Sequence, residues 1–345
     1  MSSKLESKAS SEATPFGFLR RQFTKPKPLP PGTKLTNHVA IVTGSNVGLG
    51  LEASRQFLQL GLAHLVMGVR SQSKGAAAAA KLQKEFPSAT ISVWLIDLES
   101  YDSVRAFVEK CATLPRIDIA ILNAGLVQEK YTVIPDTKHE LTLQVNFLST
   151  VLLAILLLPL LKAKKAADAS RPPVLSIVGS DIAYSATLDS NQPILPQFDD
   201  ATSYSQLQWY AKSKLLLVPF VAKLAEFVNP EDVLINVSNP GMTKGTAFFR
   251  GVPPFLKPLL AFGQILVARS VAVGASCYVD AAVAQGRESH GSFTSEWTVK
   301  PYPKLMYEPA GVEMKERLWV ETMAELESVG AGDVVKSLAE NSAAA

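Results

Sequence analysis

The sequence predicts an α/β fold in which one parallel sheet is doubly wound, with helices on both faces. Three observations carry that prediction. From Asn37 onward, short apolar runs alternate with helix-forming stretches. The first run ends in a glycine-rich turn that opens a helix. No linker-like stretch divides Asn37 from about Tyr307, so a single domain accounts for the region.

The elements follow in order. His38 to Val42 (HVAIV) is a short run bounded by turn signals and suits a strand buried on both faces. Glu52 to Leu60 reads as a helix and His64 to Gly68 as the next strand. Lys74 to Phe86 is alanine-rich and a strong helix former. Ile91 to Ile96 is strand-like, and Val104 to Ala112 is helical. Ile117 to Leu122, Val174 to Val178 and Leu234 to Val237 continue the strands, separated by helices near Leu141 to Lys162 and Ser205 to Phe227. The run from Val151 to Leu161 is too short for a membrane span, which needs ~20 apolar residues. It reads as a helix buried on nearly all sides.

Outside this domain (37–329) the sequence predicts an N-terminal arm over 1–36 and a flexible, Ala- and Ser-rich tail over 330–345. The arm has no apolar core of the kind a secretory signal carries. It reads as a solvated arm packed on the domain. Arg20 and Arg21 beside Phe16, Phe18 and Leu19 leave peripheral contact with a membrane surface open.

Composition excludes some classes. With 47% hydrophobic and 19% charged residues in 345, the chain can bury a sizeable core. Its net charge of +3 gives no argument for nucleic acid. Two cysteines, Cys111 and Cys277, form no metal-like cluster and suit a reducing, cytoplasmic setting.

Thr43 to Gly50 (TGSNVGLG) follows the first strand and opens a helix. Gly44 permits the tight turn, and Gly48 and Gly50 let backbone approach a pyrophosphate lying on the helix N-terminus. Context makes this a Rossmann-type dinucleotide site, although the spacing is neither GxGxxG nor a P-loop. After the second strand stand Arg70 and, a turn further on, Lys74. An arginine there accommodates a 2′-phosphate, so NADP(H) is expected over NAD(H).

Tyr210-Ala-Lys-Ser-Lys214 lies in a helical stretch, so phenol and ammonium share a face. A free phenol, with pKa ~10, is a poor base near neutrality. A neighbouring cation would lower that value and fit the pair for proton transfer to or from a substrate oxygen. No other tyrosine here has a lysine four residues on.

Taken together, these motifs resemble the short-chain dehydrogenase/reductase family. Thr43-Gly44-x-x-x-Gly48-x-Gly50, with Asn46 and Leu49 inside it, is similar to the family's cofactor loop. Asn123-Ala124-Gly125 resembles its NAG motif, Asp97 its adenine-side acid, and Asn146 its helix asparagine. Ser180 is similar to the catalytic serine, and Asn239-Pro240-Gly241 to the PG motif beside the nicotinamide. All occur in the family's order over roughly Asn37 to Thr298. The resemblance implies that Tyr210 transfers the proton, Lys214 holds the nicotinamide ribose and lowers the tyrosine pKa, Ser180 binds the substrate oxygen, and Asn146 anchors a water leading to Lys214. It implies an NADP-dependent ketone reductase or alcohol dehydrogenase. A non-catalytic dinucleotide-binding sensor on the same fold is disfavoured, because all four residues remain. An extended-branch epimerase is disfavoured by the loop spacing.

The chain departs from the compact family pattern. Ser180 and Tyr210 are separated by an extra segment, about Ile182 to Ser203, as in the retinol-dehydrogenase-like and WW-domain-oxidoreductase-like branches, and it is expected to border the substrate mouth. After Gly241, the usual hydroxyl position is Gly245, leaving Thr243 or Thr246 to meet the cofactor. Pro219 kinks the helix beyond Lys214. A substrate flap over about 242–268 carries Phe248, Phe249, Phe255, Leu259 and Phe262, which suggests a hydrophobic small-molecule substrate. The proline-rich arm resembles filamentous fungal members, many of them serving secondary metabolism. A homodimer is left open.

Overall fold

The structure, a computed structural model, describes residues 1–166, 171–244 and 267–343. Two short helices come first, α1 (Glu6–Glu12) and α2 (Pro15–Phe23). Thr14 caps α2 by accepting the Gly17 N–H at 2.9 Å, with Pro15 in its first turn. Then the alternation begins: β1 (Val39–Thr43), α3 (Gly48–Gln59), β2 (His64–Val69), α4 (Gln72–Glu85), β3 (Thr90–Leu95), α5 (Tyr101–Cys111) and β4 (Ile119–Leu122). A long helix, α6 (Leu141–Ala163), leads to β5 (Val174–Val178), α7 (Gln206–Leu224) and β6 (Leu234–Asn239). After α8 (Val271–Val283), two strands, β7 (Ser292–Ser295) and β8 (Thr298–Lys300), complete the sheet. Helices α9 (Pro309–Glu325) and α10 (Ala331–Ala343) close the described chain.

The sheet order is β3-β2-β1-β4-β5-β6-β7-β8, parallel throughout except for the antiparallel β8. Central strands β1, β4, β5 and β6 are buried residue after residue, which is why they read as continuous apolar runs rather than alternations. Edge strand β3 is only half-buried. One core packs α5, α6, α7, α9 and α10 on one face. A second, beneath α3, α4 and α8, covers the other. Helix α6 is long and apolar enough to cross a membrane, yet 94% of its apolar window is buried inside the fold. It serves as the central core helix, with Pro159 inside it and a wide π turn at Gln144–Leu148.

Three expectations need correction, and one strand went unread. Residues 331–343 do not fray: they form α10, whose Ala331, Val335 and Leu338 are buried in the main core. The Ala/Ser-rich composition hid an apolar stripe at helical spacing. The arm packs on the domain, as expected, but is not solvated throughout, since Ser2, Ala9, Glu12, Arg21 and Gln22 are buried. Arg21 and Phe18 therefore turn inward, and only Phe16, Leu19 and Arg20 of the suggested membrane-facing set point to solvent. Helix α3 begins at Gly48 rather than Glu52, because the glycines belong to its first turn. Finally, β7 (SFTS) carries too little apolar sequence to be read as a strand, yet pairs with β6 along its length.

The extra segment after Ser180 divides in two. Its start, Asp181–Tyr184, is a 3₁₀ turn facing the site. Beyond Ser185, which also lines the cavity, the segment packs away from it: Ile194, Leu195 and Phe198 are buried in the core. The Glu321 carboxylate of α9 accepts the Ile194 and Leu195 N–H groups at 2.8–2.9 Å. Most of the suggested flap, including its phenylalanines, Gly245 and Thr246, lies outside the described residues.

Candidate active site

Strand order reverses between β1 and β4, and at such a switch point an open α/β sheet leaves a crevice at its carboxyl edge. The loop from Thr43 to Gly50 occupies that edge. Gly44 and Gly48 adopt φ of 63° and 62°, a region costly for other residues. A Cβ on Gly48 would meet nothing within 4 Å, so the loop is open to a ligand there. Helix α3 has no side-chain cap, since its N-cap residue is Val47, and the Ser45 hydroxyl is buried without a partner. Uncapped N–H groups, a helix dipole and an orphaned hydroxyl around open space fit a dinucleotide pyrophosphate. Gly50 differs from its expected use. A Cβ there would lie 2.5 Å from Asn123 Nδ2 and 2.6 Å from the Gly44 carbonyl oxygen, so it serves helix packing rather than ligand approach.

Asn123 ties β4 to this loop by donating to the Thr43 carbonyl at 2.9 Å, and Ala124 N–H donates to Thr43 Oγ1 at 3.0 Å. Asn46 sits half-buried in the turn itself. Arg70 follows β2, exposed and ion-paired with Glu99. Lys74 lies exposed in the first turn of α4. Asp97 follows β3 and shapes the entry to α5: its carboxylate accepts the Glu99 N–H at 3.1 Å, and its own N–H donates to Ser103 Oγ at 2.9 Å.

A cavity of about 530 Å³ opens beside the loop. It gathers Leu49, Asn123, Ser180, Tyr210, Lys214, Gly241 and Thr243 of the expected set. Tyr210 and Lys214 stand one turn apart on α7, with Pro219 further along the same helix. Ser180 follows β5 and hydrogen-bonds the Tyr210 phenol. Lys214 Nζ donates to the Val178 carbonyl at 2.7 Å and lies 5.8 Å from the Tyr210 ring centre.

Asn146 is adjacent but fully engaged. Its Oδ1 accepts the Leu126 N–H at 2.8 Å, and its Nδ2 donates to the Leu126 carbonyl and to Ser213 Oγ at 2.9 and 3.1 Å. A Cβ on Gly125 would fall 3.1 Å from Asn146 Oδ1 and 3.6 Å from Lys214 Nζ, so the glycine lets both side chains close on one spot.

Electrostatics correct one expectation. Burial pushes the Tyr210 phenol up to about 12, with the Ser180 hydrogen bond pulling the other way and Asp181 adding to the rise. Burial also brings the Lys214 ammonium down to about 8. Desolvation leads for both groups, and it holds the phenol in its protonated form.

Sequence reasoning missed the groups that close the cavity from the other side. Arg21 of α2 donates to Asp181, next to Ser180, at 3.2 Å, and to Glu12 at 2.8 Å. Gln22 donates to the Met242 carbonyl at 2.9 Å and accepts the Met242 N–H at 3.0 Å, just past Gly241. Tyr278 of α8, fully buried, lines the cavity beside Tyr210. No local pattern marks these residues, because Asp181 and Met242, the site-side partners of Arg21 and Gln22, lie 160 and 220 positions away. Thr243 remains near the expected position, with its hydroxyl 3.1 Å from the Gly241 carbonyl.

Fold and site together define a dinucleotide-dependent oxidoreductase architecture, and comparison with known proteins agrees. A family profile described as short chain dehydrogenase matches residues 38–169. The chain is 62% identical over 338 residues to short chain dehydrogenase virL of Hypocrea virens, spanning 98% of this chain and 99% of the other. It is 42% identical over 331 residues to short chain dehydrogenase/reductase mfmJ of Annulohypoxylon moriforme, spanning 95% and 96%. Among solved structures, the Pseudomonas aeruginosa RhlG/NADP active-site complex superposes with a TM-score of 0.60 at 22% identity, over 77% of this chain and 96% of that one. The chain belongs to the short-chain dehydrogenase family and is an oxidoreductase.

Proposed function

We propose that the protein reduces the carbonyl of an apolar small molecule at the expense of NADPH. The observation that carries this reading is the Tyr210 phenol, hydrogen-bonded to Ser180 and one turn from Lys214 at the wall of the cavity. The Thr43–Gly50 loop, with Ser45 and the first turn of α3, would hold the pyrophosphate. Arg70 and Lys74, the exposed cations after β2, would hold the 2′-phosphate, Arg70 exchanging Glu99 for it. Asn123, Gly241 and Thr243 would border the nicotinamide, and Asp97 the adenine.

When bound, the reduced dinucleotide supplies two electrons and one hydrogen to the carbonyl carbon. The chain's own residues do the rest. Ser180 and Tyr210 hydrogen-bond the carbonyl oxygen and fix its position. Tyr210 gives that oxygen a proton, and its high pKa keeps the donor form fully populated near neutrality. The Lys214 ammonium stabilises the phenolate left behind, which is re-protonated from solvent. Asn146 fixes the Gly125–Leu126 turn against which Lys214 packs. The substrate side is apolar, lined by Phe18, Leu126, Val127, Ile182, Leu207 and Met242.

The test is direct. Purified protein is assayed for NADPH and NADH oxidation against aliphatic, cyclic and aromatic ketones. Ketone-dependent oxidation of NADPH, faster with apolar ketones, is expected; failure of every ketone with both dinucleotides would overturn the reading.

A further inference from the structure

The N-terminal helices do more than rest on the domain. Glu12, Ala13, Thr14, Pro15, Phe18 and Arg21 all line the cavity that holds Ser180 and Tyr210. On α2 the cavity-facing positions 14 or 15, 18 and 21 recur at helical spacing, so one face looks inward. Phe16, Leu19 and Phe23 fall off that face and are 77%, 41% and 63% exposed. We propose, on the reading of the site as a ketone reductase, that α2 is a wall of the substrate site. In it Phe18 is the specificity-determining residue for the apolar end of the substrate remote from the carbonyl, and Arg21 is the residue that positions it.

The attachment of α2 supports this. Its fixing points are parts of the site itself, since Arg21 is anchored on Asp181, beside Ser180, and Gln22 on Met242, beside Gly241. A displacement of α2 would therefore be a displacement relative to the reacting groups. Arg21 also lies 5.0 Å from the ring centre of Tyr184 in the same turn. Further back, Ser2 joins β7 by accepting the Phe293 N–H at 2.9 Å and donating its own N–H to Ser292 Oγ at 3.0 Å. The segment is pinned at both ends.

The chemistry that α2 offers narrows the ligand. The charged groups at the cavity edge are neutralised within the protein: Glu12 of α1 accepts from Arg20, Arg21 and Lys300, and Arg21 is closed off between Glu12 and Asp181. What remains toward the cavity is the half-buried Phe18 ring, the Pro15 ring and the Ala13 methyl. Such a surface favours stacking and apolar contact over recognition of charge. It fits a ketone carrying a second ring, with that ring against Phe18.

The test compares 2-tetralone, which has the second ring, with cyclohexanone, which lacks it. Phe18→Ala is expected to lower kcat/KM for 2-tetralone about tenfold, chiefly through KM, and to leave cyclohexanone within about twofold. Phe18→Leu should recover much of the loss, while the Kd for NADPH stays at the parent value in both variants. Arg21→Lys, which keeps the charge but not the fork, should reproduce the selective loss more weakly. Equal losses on both ketones, or none, would overturn the proposal. Calorimetric titration of 2-tetralone into the NADP-loaded protein separates it from the reductase reading. If the parent binds 2-tetralone but turns over no ketone with either dinucleotide, and Phe18→Ala binds about tenfold more weakly, the wall stands and the reductase reading falls. If the parent does not bind 2-tetralone, the wall proposal is wrong.

Discussion

The proposed cofactor side of the molecule and its proposed substrate side are built by different means. From β1 to β4 each element follows the last at short range, and the strands touch their sequence neighbours or the next unit. The glycine loop, Asn123 and Asp97 all make their contacts within that unit. On the substrate side, the contacts span the chain. Arg21 to Asp181, Gln22 to Met242 and Ser2 to β7 bridge 160, 220 and 291 positions. One half is fixed by repeated apolar strands under helices, the other by buried polar latches from the N-terminal segment to distant parts of the chain. The first should tolerate surface change and hold its cofactor. The second should respond sharply to loss of a single charged partner.

The largest expected effect lies where the halves meet. Tyr210→Phe removes only the proposed proton donor, so kcat should fall by about 10³ while the Kd for NADPH and the Tm stay near the parent values. Stopped-flow and binding measurements decide it, and a variant retaining most of its rate would remove Tyr210 from the chemistry. Next comes the substrate-side latch. Arg21→Met deprives the buried Asp181 of its guanidinium partner while Glu12 keeps Arg20 and Lys300, and a buried pair that loses one member costs about 3–5 kcal/mol. Burial already pushes Asp181 above the usual carboxylate range even with Arg21 beside it. It can thus take up a proton, so the loss should sit at the lower end of that range. Asp181→Asn in the same chain should recover part of it. Chemical denaturation of the two singles and the double measures the coupling, and strict additivity would mean the latch carries no energy.

The same division explains how much of the molecule was legible in the sequence. The parallel sheet, its first six strands and the Ser180, Tyr210, Lys214 group could be read, because buried strands are short apolar runs and the Tyr–Lys pair needs only a helical turn. Helix α10 and strand β7 could not, since small and polar residues hide their buried faces. The arm was the largest miss. Arg21 looks like a surface cation among basic neighbours, and nothing near it in the chain shows that its partners are Glu12 and Asp181. The lowered tyrosine pKa was also misjudged, because the spacing of Tyr210 and Lys214 shows their proximity but not how deeply both are desolvated.

Arg70 tests the cofactor half with a smaller effect. It is exposed, and its pair with Glu99 adds little to stability. Arg70→Ala should therefore leave the Tm unchanged while raising the KM for NADPH about tenfold and that for NADH little, as expected from losing one charge-assisted contact to phosphate. Equal rises for both dinucleotides would place the 2′-phosphate elsewhere.

The smallest effect concerns a latch away from the cavity. His139, at the entry to α6, lies 3.2 Å from Asp199 of the extra segment and 3.3 Å from Glu325 of α9. Burial disfavours its charge, but the two carboxylates outweigh that and bring it up to about 9. A histidine whose pKa is raised on folding gives stability that is fully present below its unfolded value, near 6.5, and is lost as pH rises through the folded one. With its carboxylate partners part-exposed, that contribution is on the order of 1–2 kcal/mol. His139→Gln should thus lower Tm by a few degrees at pH 6 and converge on the parent above about pH 9, with kcat unchanged at both. Glu140, brought up to about 7 by burial, titrates in both chains and largely cancels in the difference. A gap that stays constant with pH would assign His139 a packing role alone. A change in kcat would join this latch to the substrate half, and the contrast between the two kinds of polar contact would no longer hold.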